Sequence, residues 1–135
     1  MKMQRRVASV VVLLVCVAAV AGAQGSTVPS SRATAFMGTW TFAMTNPPNS
    51  EQTIQIWDKN GVVGASLQVG KFGPPTDITG VFKDGDVLVL TTTLRENGAP
   101  IWAVVALTLD GQTMNMAQML QQSQTIKRGS GKRQG

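Results

Sequence analysis

The feature that most constrains this chain is its punctuation. From residue 36 onward, short alternating or β-branched runs are separated by turn chemistry, with no helix-period segment before a short stretch at 116–122. That pattern marks an all-β sandwich or barrel. It predicts eight strands, at 37–45, 52–58, 62–69, 76–83, 86–95, 100–109, 112–118 and 124–133. Asp58-Lys59-Asn60-Gly61, Asp84-Gly85-Asp86 and Asp110-Gly111 are tight hairpin signals, because Gly and Asn tolerate the positive φ such turns need. The connections at 46–51, 70–75, 96–99 and 120–123 read as longer. Tight and long connections therefore alternate. In an up-and-down meander this puts short turns at one end and proline-rich loops at the other, so the expected shape is a cup: a single eight-stranded antiparallel barrel.

Residues 1–23 read as a leader outside the fold. Lys2, Arg5 and Arg6 form a basic start, residues 7–20 are apolar apart from Ser9, and Ala21-Gly22-Ala23 has the small-x-small pattern of a signal-peptide cleavage site. The apolar run falls short of the roughly 20 residues of a membrane span, so no stable membrane span is expected. The flanks of Arg5-Arg6 fit a twin-arginine route poorly, and Val15 before Cys16 is not the small residue a lipoprotein site wants. The expected product is exported, periplasmic or secreted. Residues 24–35, QGSTVPSSRATA, read as a flexible lead-in, and 36–135 as the barrel domain.

Cys16 is the only cysteine, so the mature domain must be held by its core rather than by disulfides. A chain of this length buries about two thirds of its surface, enough for a compact barrel. The formal net charge of +5 falls to +2 without the leader, nine basic residues against seven acidic. That is an ordinary surface, and no nucleic-acid partner is expected. Lys127, Arg128, Lys132 and Arg133 form a basic tail, read as a solvated strand with a frayed end or as a contact for an anionic envelope surface.

The stretch Gly38-Thr39-Trp40, opening the first strand, together with the late basic residue Arg133, resembles the calycin barrels: lipocalins, fatty-acid-binding proteins and avidins. The resemblance spans the domain in architecture and rests on Gly38, Trp40 and Arg133. It implies that Trp40 plugs the closed end and that Arg133 lies across its ring, a structural pair worth roughly 0.5–2 kcal/mol. The second and third lipocalin motifs and the tryptophan-rich biotin site of avidins are missing. An eight-stranded outer-membrane barrel would want aromatic girdles, and this chain has no tyrosine.

Catalysis has little material. The chain has no histidine, so it lacks the commonest general base, and its one cysteine leaves with the leader. Six of the seven acids lie in or beside turns, and Asp77, near Lys71, reads as a loop-edge carboxylate. The expectation is a protein that is not an enzyme and carries no cofactor.

The remaining candidates concern binding. Met114 and Met116 share one face of a strand, with Met119 just beyond; Met44, Phe72 and Trp102 are expected near the mouth and Trp57 near the closed end. Met44, Phe72, Trp102, Met114, Met116 and Met119 thus form the expected lining for a small apolar or amphipathic molecule. Two alternatives stand beside this carrier: a packed barrel serving structure or protein interaction, and thioether binding of Cu(I) by the methionines. Finally, residues 87–90 and 101–107 are apolar on both faces. The outward set needs a cover, and a second copy of the hairpin 86–95/100–109 would supply it as a two-fold dimer.

Overall fold

The computed structural model describes residues 25–121, 123 and 125–134. The predicted leader lies outside these residues. The described chain forms β1 (Gly25–Ser26), two 3-10 turns (Ser30–Arg32 and Thr34–Phe36), β2 (Gly38–Met44), β3 (Ser50–Lys59), β4 (Val62–Val69), β5 (Thr76–Asp77), β6 (Gly80–Asp84), β7 (Val87–Glu96), β8 (Ala99–Asp110), β9 (Thr113–Leu120) and β10 (Ile126–Arg133). They make one curled sheet in the order β1-β6-β7-β8-β9-β10-β2-β3-β4-β5. All its pairings are antiparallel except β1 with β6. The first and last long strands, β2 and β10, lie side by side.

Three expectations are corrected. The predicted strand 76–83 is divided into β5 and β6. Its first half follows β4, with Ile78 N–H donating to Ala65 O, and its second half follows β7, with Thr79 N–H donating to Thr91 O. The segment changes neighbours at 78–79, so β4 and β6 diverge and a seam opens between them.

The second correction concerns what fills that seam. Residues 24–35 read as a flexible lead-in, yet the chain from Gly25 runs parallel to β6 and then antiparallel to the start of β4. Val28 O accepts from Val63 N–H (2.9 Å), and Ser30 N–H donates to Gly61 O (3.0 Å). The two 3-10 turns then cross the tight-turn end. Val28, Ala33 and Phe36 are buried. Full burial of a Val or Phe side chain stabilises by roughly 1.5–3 kcal/mol, which is why a polar-looking stretch holds its place.

Third, the connection at 96–99 is not a long loop. β7 and β8 run on until only Asn97-Gly98 separates them, both with positive φ (52° and 80°). That is the two-residue hairpin turn whose twist matches the strands. One of the four connections at the mouth is therefore tight.

On β2, β3 and β9 the core follows strict alternation. Trp40, Phe42 and Met44 on β2, Gln52, Ile54 and Ile56 on β3, and Met114, Met116 and Gln118 on β9 all face inward and are buried. β10 turns Gly129 and Gly131 to the lumen. A Cβ on Gly131 would sit 2.6 Å from the Phe42 ring, so the bare strand is what lets Phe42 lean over it.

Candidate functional site

The closed end is built around Trp40, which is 1% exposed. Its indole Nε1–H donates to Phe36 O at 2.9 Å, satisfying the one polar group that burial would otherwise strand. Above the ring lies Arg133, its guanidinium carbon 4.6 Å from the ring centroid. Nη2 of Arg133 donates to Ala35 O at 2.8 Å. Gly38 explains the spacing of the triplet: its φ is +122°, and a Cβ there would come within 3.2 Å of Arg133 Nε. The glycine leaves the floor open so that the arginine reaches the tryptophan two residues on. Beside this pair is an open depression of about 540 Å³, bordered by Ala35, Trp40, Leu109, Gln112, Lys132 and Arg133.

The lumen above is occupied by the protein itself. Met44, Met114 and Met116 face inward as alternation requires, but they belong to one continuous core with Phe42, Ile54, Leu67, Leu88, Leu90 and Leu107. Nearer the mouth, Gln52 and Gln118 form a reciprocal amide pair. Gln52 Nε2 donates to Gln118 Oε1 (3.1 Å), and Gln118 Nε2 donates to Gln52 Oε1 (3.0 Å). Two buried amides thereby satisfy each other across the lumen, as buried polar groups must. The pair was not among the expected site residues. Its signal was present: Gln118 continues the period of Met114 and Met116, and Gln52 that of Ile54 and Ile56.

The other three expected lining residues are elsewhere. Trp102 lies on the outer face, 40% exposed, because Ala103, Val105 and Leu107 take the inward positions of β8. Met119 pairs in register with Val104 and Ile126 and shares their outward face. Phe72 projects from the 70–75 loop and is 97% exposed. Trp57 also faces outward, where its ring covers Gly64.

A shallow rim remains. Val69 is in register with Gln52, and so faces inward, yet it is 50% exposed. Lys127 is in register with Gln118 and shares its side of the sheet.

On the outer face, Val89 and Val104 form a separate buried cluster with Phe82 and Val87 packed against it. The chain itself therefore covers part of the outward apolar set. The row Val104–Met119–Ile126 continues across β8, β9 and β10, with Ile126 and Trp102 exposed.

Antiparallel curled sheet, adjacent first and last long strands, and Trp40 beneath Arg133 at the tight-turn end together define a calycin-like β-barrel. Among solved structures, the chain is similar to an abundant heat soluble (SAHS) protein from Ramazzottius varieornatus, from a dimer sample, at 9% identity and a TM-score of 0.46, covering 74% of this chain and 96% of that one. No protein-family model matches the chain, and no curated protein is significantly similar to it. No helix among the described residues is long and apolar enough to cross a membrane. Among those residues no group of three or more His, Cys, Asp or Glu is placed to hold a metal ion.

Proposed function

We propose that this chain is an exported, non-catalytic barrel that acts as an interaction module through its outer surface, with a second copy as its partner. The observation that carries this reading is the filled lumen: side chains from Trp40 to Met114 form one core, and the Gln52–Gln118 pair bridges it near the mouth. A drug-sized ligand needs a site that buries 70–90% of its surface, and here the positions it would take are held by Phe42, Met44 and Leu67. Met114 and Met116, packed among apolar neighbours, read as filling rather than as Cu(I) ligands.

The contact surface is the strip of Trp102, Met119 and Ile126 on the outer face of β8 to β10. In protein purified without unfolding, Met119→Lys or Ile126→Lys should convert the outer-face dimer to monomer in sedimentation. A wild-type chain that stays monomeric at micromolar concentration overturns that part of the reading. For the packed lumen, titration with an environment-sensitive fatty-acid probe should leave tryptophan emission without a saturable change. Export is checked by sequencing the N-terminus of the exported protein, which should begin at Gln24.

One observation favours a second reading. Val69 is half-exposed yet faces inward beside Gln52, and Lys127 shares the side of Gln118. An anionic amphiphile seated on this rim would meet apolar surface below and a cation beside it. Saturable probe binding that Lys127→Glu abolishes would select this rim carrier over the packed module.

A further inference from the structure

The seam between β4 and β6 is filled by a segment that joins the rest of the barrel at Gly38, the first residue of β2. We propose that this N-terminal arm, residues 25–37, exchanges between two copies of the chain, each arm closing the seam of the other barrel. The inference goes beyond the outer-face association above and uses a different surface.

Three observations carry it. First, the slot is a strand-sized site with hydrogen-bonding edges on both sides. Gly25 and Ser26 pair in parallel with Gly80 and Val81, and Thr27 N–H donates to Val81 O. On the other side, Val28 and Ser30 bond to Val63 and Gly61 around the bridge Pro29–Val62. An extended segment that adds to exposed sheet edges in this way is a recurring mode of recognition.

Second, the arm brings its own side chains to the site. Val28, Ala33 and Phe36 are buried. The carbonyls of Ala35 and Phe36 receive Arg133 and Trp40, and the Ser30 hydroxyl bonds to the Asp58 carboxylate. An empty slot would expose all of these partners together with the edges of β4 and β6. The competition is therefore between an arm from the same chain and an identical arm from another, which makes the same contacts. Exchange of an identical element is a low-cost route to a dimer for that reason.

Third, a hinge stands where the exchange needs one. Met37 leads out of the second 3-10 turn, and Gly38, the first residue of β2, has φ +122°, a conformation that residues with a Cβ rarely hold. Extending the chain here swings the arm out and leaves the rest of β2 paired. The two closed ends then meet about a two-fold axis near Gly38.

The Pro29–Val62 bridge supplies the test. Its flanking hydrogen bonds make it the narrow kind of antiparallel pair, with Cα atoms about 4.5 Å apart, within the range a disulfide accepts. Both residues are exposed. Pro29→Cys and Val62→Cys are made as separate single variants of the full chain, each with Cys16→Ser, then mixed, unfolded, refolded together at high concentration and oxidised. A covalent heterodimer joining residue 29 of one chain to residue 62 of the other is the expected product. It should persist when Met119→Lys is added, which separates it from the outer-face contact. Gly38→Ala, whose left-handed backbone strain is relieved when the arm extends, should raise its yield about fivefold or more. The proposal is overturned if the mixture yields no more heterodimer than Pro29→Cys mixed with Asn115→Cys, an exposed position on β9, while the double variant Pro29→Cys/Val62→Cys oxidises entirely within one chain.

Discussion

The two ends of this barrel solve the same problem in different ways. At the tight-turn end, one aromatic ring is sealed by a cation above, a carbonyl at its nitrogen, and a strap of 3-10 turns. At the mouth, two amides close the lumen on each other, and above them Val69 is left half-exposed. The closed end is held by contacts among three separated stretches, residues 30–36, β2 and β10, so each of its side chains has several partners. At the mouth, among the described residues, the buried polar contact across the lumen is the Gln52–Gln118 pair, while the loops are tied by exposed bonds such as Ser50 to Pro47 O and Lys71 to Glu51. One end is sealed by buried contacts, the other by one buried pair beneath loops tied at the surface.

Mutations can break or sharpen this contrast. Trp40→Ala should have the largest effect, a loss of about 3–5 kcal/mol, as for a large aromatic removed from a core, measured by denaturant unfolding with an unchanged m-value. Unfolding at the wild-type midpoint would mean that the closed end does not anchor the fold. Next come Gln52→Leu and Gln118→Leu taken singly. Each leaves one buried amide without its partner, at a cost of about 1–3 kcal/mol. The double variant should lie closer to wild type than the two single losses predict, and a double-mutant cycle reads that coupling directly. If the losses simply add, the amides are not acting as a pair. Arg133→Ala should lose about 1 kcal/mol through the stacking contact. Phe72→Ser, on the exposed loop, should stay within about 0.5 kcal/mol of wild type and leave probe titrations unchanged.

Much of the barrel was legible in the sequence because its signals are local. The turns at Asn60-Gly61, Gly85 and Gly111 and the alternation of β2, β3 and β9 need only a few neighbouring residues to be read. Trp40 and Arg133 could be joined because an up-and-down meander places the first and last strands together. Trp102 was harder. On β8 nearly every residue from 101 to 107 is apolar, so alternation in hydrophobicity no longer says which face is which. Met119 was decidable, since it is out of step with Met114 and Met116. Asn97-Gly98 carried a tight-turn signal that the length assigned to the loop concealed. The lead-in was opaque for another reason: apart from buried Val28 and Ala33 it holds on by backbone hydrogen bonds and by hydroxyls of Thr27 and Ser30, which composition does not distinguish from a loop's. The split at 78–79 is likewise a matter of which neighbour the backbone follows, and no side chain marks it.

The arm also orders events in time. It precedes every other described strand as the chain is made, yet Thr27 bonds to Val81, 54 positions later. Nothing exists for it to join until β4 has formed its hairpin with β3 and β6 has emerged. Contacts of such long sequence separation repay their loop-closure entropy late, and they slow folding. The part of the barrel synthesised first must wait for neighbours made much later, so the seam can close only once β4 and β6 are in place.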